Sequence, residues 1–182
     1  ISLSMMNKAR QKTVDEDKLI FFPNWSDTSF FKGAVCSEAL RNSLAVPAGN
    51  KMILYSGNVG DKQGLEQVVE AAEYFKDQPY YFVIVGDGSG KEKLKSLVLE
   101  RSLQNIGFSP LLALEQLPTL LASADCHLVI QKKGVADAVL PSKLTNIMAV
   151  GGNAVITAEA DTELGLLCKN YVGIAELVEP EN

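Results

Sequence analysis

The sequence predicts an α/β fold, a parallel β-sheet flanked by helices. Three observations carry that expectation. Short apolar runs alternate with helical patterns along almost the whole chain. Several of the runs, such as Tyr80 to Val85, are apolar without alternation, as strands covered on both faces are. Glycine-bearing loops lead from two of the runs into helical patterns. With 182 residues, 47% of them hydrophobic and 21% charged, the chain is long enough to bury one sizeable core. No repeat or low-complexity linker divides it, so residues 1–182 read as one domain.

Leu19-Ile20-Phe21-Phe22, halted by Pro23-Asn24, reads as the first strand. A short helix is expected from Ser37 to Leu44, before a break at Pro47-Ala48-Gly49-Asn50. Met52 to Tyr55 is the next strand and ends at Ser56-Gly57-Asn58. Leu65, Val68, Val69, Ala72 and Phe75 then recur at helical spacing, which predicts a helix from Gly64 to Phe75. Strand Tyr80 to Val85 runs into Gly86-Asp87-Gly88-Ser89-Gly90, and the helix beyond carries Leu94, Leu97 and Val98 on one face. A strand at 105–108, a helix from Leu114 to Ala124 and a strand from Cys126 to Ile130 follow. The loop 131–141 leads to a helix starting near Ser142, then Gly151-Gly152 and a strand from Ala154 to Thr157. A last short helix and strand occupy 161–178.

Composition narrows the function. A net charge of −5 argues against a nucleic-acid partner, because phosphate backbones demand clustered Lys and Arg. No apolar run approaches the roughly 20 residues that cross a bilayer as a helix. One histidine and the widely spaced Cys36, Cys126 and Cys168 argue against zinc. The three thiols read as buried and free in a reducing cytoplasm. The start, Ile1-Ser2-Leu3-Ser4, has neither a charged leader nor an initiator Met, and the chain reads as a piece of a longer one.

In open parallel sheets, ligands bind beyond the carboxyl ends of the strands. The loops after Tyr55, Val85, Phe108 and Ile130 therefore line one candidate edge. A strand, a glycine loop and a helix N-terminus together suit a phosphate, since loop amides and helix dipole both favour negative charge. Gly86, Gly88 and Gly90 are spaced GxGxG, where a dinucleotide fingerprint requires GxGxxG. A P-loop also fails, because position 85 is Val85 and Lys91 is followed by Glu92. A ligand-free tight turn stands beside the phosphate reading there. Lys132-Lys133 reads equally as a neutraliser of a diphosphate or as a solvated loop. Asp125 and His127 have no nucleophile motif beside them, and His127 reads as a satisfied structural histidine.

The segments "KLIFFPNWSDTSFF", "ILYSGNVGDKQGLEQVVEAA", "YFVIVGDGSGKEKL", "NIGFSPLLALEQLPTLLASADCHLV" and "VLPSKLTNIMAVGGNAVIT" occur in that order. Together they resemble the C-terminal domain of GT-B glycosyltransferases, family 4, and especially bacterial members similar to the colanic acid fucosyl- and glycosyltransferases. The resemblance implies a Rossmann-like domain that binds a nucleoside-diphosphate sugar, GDP- or UDP-linked, for a retaining transferase in bacterial cell-surface polysaccharide biosynthesis. It implies no further cofactor and no metal. An acceptor-binding N-terminal domain would precede this chain, with residues 1–35 leading in from it. The full enzyme would be cytoplasmic, peripheral at the inner membrane face.

Carried over residue by residue, the resemblance implies donor-diphosphate contacts from Gly57, Asn58, Lys62, Gln63, Ser142 and Lys143. Nucleobase and ribose contacts fall on Gly86, Phe108, Ser109 and Asn146, and the donor-sugar loop on Asp137, Ala138, Val139 and Leu140. No catalytic residue is assigned. The family's arginine and lysine clamp falls on Asn58 and Gln63, with Lys62 one residue off, so the charge would come from Lys62, Lys132 or Lys143. The family's paired glutamates fall on Ala138 and Asn146. Asn146 still hydrogen-bonds a ribose hydroxyl in this reading, and Ala138 makes no such bond. Pro141-Ser142-Lys143 marks a helix N-terminus whose free amides suit a pyrophosphate. Two other classes compete: a nicotinamide-dependent Rossmann oxidoreductase, and a module that keeps the fold without the ligand.

Overall fold

The computed structural model describes residues 3–22, 25–60, 63–134 and 142–181. Its sheet has six parallel strands: β1 (Lys51–Ser56), β2 (Tyr80–Val85), β3 (Ile106–Ser109), β4 (Cys126–Val129), β5 (Ala154–Thr157) and β6 (Glu176–Val178). They lie in the order β3-β2-β1-β4-β5-β6. The expected α/β architecture is therefore present. Strand β2 shows why: its run YYFVIV is buried at five of six positions, which requires cover on both faces.

Helices α4 (Glu66–Tyr74) and α5 (Lys91–Glu100) cover one face, packing Val68, Val69, Ala72 and Leu94 against Tyr55, Phe82 and Ile84. Helices α3 (Glu38–Ser43) and α6 (Leu117–Ala122) cover the other, with Leu120 and Leu121 against Met52, Leu54 and Val83. Helices α7 (Ser142–Ala149) and α8 (Glu163–Asn170) close the β4–β5 side with Leu144, Ile147 and Leu164 against Val129 and Ile156. Ser37 and Thr162 cap α3 and α8, each accepting an amide hydrogen bond from the first turn.

Four sequence expectations are corrected. Leu19 to Phe22 is not a strand. It follows a single 3-10 turn at Glu16–Lys18 and leaves Ile20 75% and Phe22 69% exposed. Apolarity signals that a segment wants burial, not that a sheet edge receives it. The sheet's edges are β3 and β6, and this segment pairs with neither. The expected helix from Leu114 splits into a 3-10 turn (Leu114–Gln116) and α6, because Pro118 is tolerated only in a first turn. Two helices were not foreseen: α1 (Leu3–Gln11), and α2 (Thr28–Phe31), which Asp27 caps. Cys36 is exposed, so the buried-thiol expectation fails there, while Cys126 is half-buried and Cys168 buried; all three are free.

Asp125 has a structural task at the amino end of the sheet. Its carboxylate accepts hydrogen bonds from Arg41 (3.0 Å), the Lys51 ammonium (2.9 Å) and the Met52 amide (2.9 Å). Arg41, only 11% exposed, also donates to the Ser123 carbonyl, so α3, β1 and the start of β4 are tied at one point. Burial opposes ionisation of Asp125, but the bonds from Lys51, Met52 and Arg41 outweigh it and hold the carboxyl below its usual value. A lowered folded value gives stability that is complete above the unfolded value of about 4 and lost as pH falls through the folded one. Arg41→Ala should cost about 1–2 kcal/mol in urea denaturation, because Asp125 keeps Lys51 and Met52 while the Ser123 and Asn50 carbonyls lose their donor. Asp125→Asn should flatten the acid limb of stability between about pH 4 and pH 2.

Candidate functional site

The chain winds from β1 outward through β2 and β3, then returns to β4 and winds the other way through β5 and β6. The strand order therefore switches between β1 and β4, and a crevice opens at their carboxyl ends. Three segments meet around it: the loop after β1, the glycine turn after β2, and the first turn of α7.

The two loops clasp each other backbone to backbone. The Gly57 amide donates to the Val85 carbonyl (2.9 Å), the Val59 amide to the Asp87 carbonyl (3.0 Å), and the Gly90 amide back to the Val59 carbonyl (2.9 Å). A Cβ on Gly86 would lie 1.8 Å from the Gly57 carbonyl oxygen, and one on Gly88 would lie 2.3 Å from that of Val59. These glycines thus permit loop packing, which explains their departure from dinucleotide spacing. Lys91 faces the turn rather than the crevice. Its ammonium donates to the Gly86 carbonyl (2.7 Å) and to Asp87 (2.7 Å).

Tyr55 and Lys143 form the centre of the crevice. The Tyr55 hydroxyl donates to the Asn58 carbonyl at 2.7 Å, and its desolvated phenol is raised well above the ordinary value. The Lys143 ammonium lies 4.1 Å from the Tyr55 ring centroid, a cation–π contact, and 3.2 Å from where a Gly57 Cβ would stand. Among the described residues no carboxylate pairs with Lys143. Burial lowers its pKa from 10.5 to about 8.

Beside this pair a cleft of about 180 Å³ is lined by Ser56, Leu117, His127, Ser142, Lys143 and Asn146, among others. Ser142, Lys143 and Asn146 were expected together, and the structure brings them together. His127 was expected to be a satisfied core residue. It is 1% exposed and bonded to the Leu121 backbone, but its Nε2 has no partner among the described residues. Desolvation lowers its pKa to about 4, so the ring is neutral at physiological pH. A Cβ on Gly152 would stand 2.7 Å from that Nε2, so Gly152 is where the backbone passes the imidazole.

The remaining expected residues are placed less simply. Gln63 accepts the Gly60 amide through Oε1 (3.1 Å), and Asn58 is exposed with its side chain against Gly60 and Gly88. Asn146 Oδ1 accepts the Ser26 hydroxyl (2.6 Å), which also lies 2.7 Å from the Thr145 hydroxyl. Phe108 packs with the α4–α5 cluster on the face away from the cleft, and the Ser109 carbonyl accepts the Gly86 amide (3.1 Å). The Lys132 stem reaches to 3.0 Å from a Cβ position on Gly64. Lys62 and Asp137, Ala138, Val139 and Leu140 lie outside the described residues. Sequence reasoning missed Tyr55 and His127 as walls of the site. Their signal was a polar-tipped ring inside an otherwise apolar run.

An open parallel sheet with facing glycine loops and a lysine at the switch point defines a doubly wound domain of the ligand-binding kind. The chain belongs to the family described as Glycosyl transferases group 1, whose model matches residues 37–182. It is 58% identical over 184 residues to WcaI of Escherichia coli (strain K12), named as a colanic acid biosynthesis glycosyl transferase; the match covers all of this chain and 45% of WcaI. The chain thus spans about half the length of that relative. Among solved structures, a glycosyltransferase from Rickettsia africae superposes with a TM-score of 0.76 at 18% identity, over 97% of this chain and 48% of its own. Anabaena HepE in complex with UDP-glucose superposes at 0.74 and 17% identity, over 95% and 47%. The expected GT-B-type, Rossmann-like fold is borne out. The nicotinamide reading finds no support, since its glycines are occupied in the loop clasp.

The clasp makes a sharp prediction. Gly86→Ala should destabilise the domain by about 2–4 kcal/mol in chemical denaturation, because a backbone oxygen must move. Gly57→Ala meets only the flexible end of Lys143 and a φ of +145°, and should cost clearly less.

Proposed function

We propose that this chain is the donor-binding domain of a retaining, sugar-nucleotide-dependent glycosyltransferase of bacterial surface-polysaccharide assembly. The observation that carries the reading is the Lys143 ammonium, held against Gly57 at the switch point with no carboxylate beside it among the described residues. A half-buried, desolvated cation without an acid partner among the described residues suits an anion from solution. In this family that anion is the diphosphate of a nucleotide sugar, and HepE, solved with UDP-glucose, supports a nucleoside diphosphate here.

The diphosphate lies between the loop Gly57-Asn58 and the Ser142–Lys143 turn of α7, and the resemblance assigns Lys62 and Gln63 to the same contact. Asn146 meets the ribose, and the base lies toward Gly86, Phe108 and Ser109. The resemblance assigns the donor sugar to Asp137, Ala138, Val139 and Leu140, which lie outside the described residues. Charge building on the leaving diphosphate is stabilised by Lys143 and preorganised amides. In this reading no metal or further cofactor takes part. The acceptor and the catalytic residues belong to an N-terminal domain of the same protein, from which residues 1–35 lead in, and the whole enzyme works in the cytoplasm at the inner membrane face. WcaI's name supports an exopolysaccharide such as colanic acid as the product class.

Calorimetric titration with UDP, GDP and NADH tests the reading. One of the first two should bind and NADH should not; silence from both nucleoside diphosphates overturns it. Lys143→Ala should weaken that binding by about 1–2 kcal/mol, the scale of one charge-assisted contact. The pH dependence has a definite sign. A nucleotide's terminal phosphate is fully ionised well above its pKa of about 6. Affinity should therefore hold up to pH 8 and fall as Lys143 loses its proton above about 8. An unchanged dissociation constant from pH 7 to pH 10 would remove Lys143 from the site. Purified residues 1–182 should bind the donor nucleotide yet transfer no sugar in a product assay.

A further inference from the structure

We propose that Tyr55 is the positioning residue of the diphosphate cradle, its hydroxyl fixing the loop after β1 and its ring face holding the Lys143 ammonium. The inference rests on the donor-site reading above and adds a residue that the reading does not need. Tyr55 stands in β1 between Leu54 and Ser56 and is fully buried. Its hydroxyl reaches the Asn58 carbonyl at 2.7 Å, on the segment Gly57–Val59 that the glycine turn clasps. Its ring lies 4.1 Å from Lys143 Nζ, which comes from α7 across the crevice. One side chain therefore touches both walls of the cradle, the loop through a hydrogen bond and the helix through a cation–π contact.

The alternative is that Tyr55 merely fills the core between β1 and α4. Core filling accounts for the ring's inner edge, but not for a hydroxyl spent on a loop carbonyl or for an ammonium over the ring face. The other groups around Lys143 leave that ammonium without a counter-charge among the described residues. Ser56 of β1 and Ser142 and Asn146 of α7 are uncharged, and His127 of β4 is neutral. The ring is thus the electron-rich surface that holds the ammonium in place while the crevice is empty.

A double-mutant cycle with the nucleoside diphosphate that binds the unmodified chain tests this. Tyr55→Leu should weaken binding about 5- to 20-fold in the natural background, and only about 3-fold, the share of the lost hydroxyl, when Lys143→Met is already present. Tyr55→Phe keeps the ring and frees the loop. It should weaken binding about 3-fold while leaving the fall in affinity above pH 8 where it was. Tyr55→Leu should displace that fall. Thermal melting checks that each variant is folded, and Tyr55→Phe carries the test if Tyr55→Leu is not. Equal losses in both lysine backgrounds, or a Tyr55→Phe variant that binds like the natural chain, overturn the inference while the donor-site reading stands. If the unmodified chain binds neither UDP nor GDP, the donor-site reading fails and this inference with it.

Discussion

The close approach of two loop backbones at the carboxyl edge of the sheet is the constraint on which the rest of the site depends. Carbonyls of Gly57 and Val59 occupy space where side chains of residues 86 and 88 would stand. Only glycine fits there, and the three amide–carbonyl bonds of the clasp then fix both loops together. Apart from the exposed Asp87, the residues that make these bonds are buried or half-buried, so breaking them would leave polar atoms unpaired at real cost. A loop fixed in this way presents its free atoms at a constant place. That is the condition for preorganised binding, because no ordering cost is left for the ligand to meet.

The second constraint is electrostatic. Desolvation lowers the pKa of Lys143 to about 8, and keeping it charged is an energetic cost to the empty domain at neutral pH. The opposite end of the sheet handles charge differently. There Arg41 and Lys51 meet Asp125, and the charges compensate one another inside the protein. A cation with no carboxylate beside it among the described residues at one end of the sheet, and a paired cluster at the other, separate the proposed binding group from a structural one. The same comparison removes Lys91 from the site, since it is satisfied by Asp87 and the turn carbonyls.

Most of the fold was legible in the chain, because burial on both faces writes itself as unbroken apolar runs and helices as 3.6-residue spacing. Leu19 to Phe22 misled because four apolar residues cannot specify a partner, and the sheet filled its positions from elsewhere. Pro118 shortened α6 through a local rule, while the four-residue α2 is too short to carry periodicity. At the site, Ser142, Lys143 and Asn146 were legible because they share one helix. The Tyr55–Lys143 contact was not, since strand and helix lie 88 positions apart and no local pattern links them. The glycine turn was legible as a turn, but its reason was not. Spacing showed that it was no dinucleotide motif, and only the neighbouring loop's carbonyls explain which positions must be glycine.

In the proposed reading, the cradle's charge has moved from one wall to the other. The resemblance puts the family's basic clamp at positions 58 and 63, on the loop after β1. Here those positions carry Asn58 and Gln63, and both side chains lie along the loops: Gln63 holds the Gly60 amide, and the exposed Asn58 lies against Gly60 and Gly88. Uncharged amides fit that task, because each packs within the loop without bringing a cation into the clasp. The loop is thereby stiffened from within, and the positive charge it gave up is supplied by Lys143 from α7. A charge delivered from the far wall must be aimed, since a lysine stem is long and flexible. The Tyr55 ring provides that aim, and the same side chain holds the loop whose two clamp positions are uncharged. Loss of the basic loop residues and the presence of a tyrosine at the end of β1 are then two parts of one arrangement.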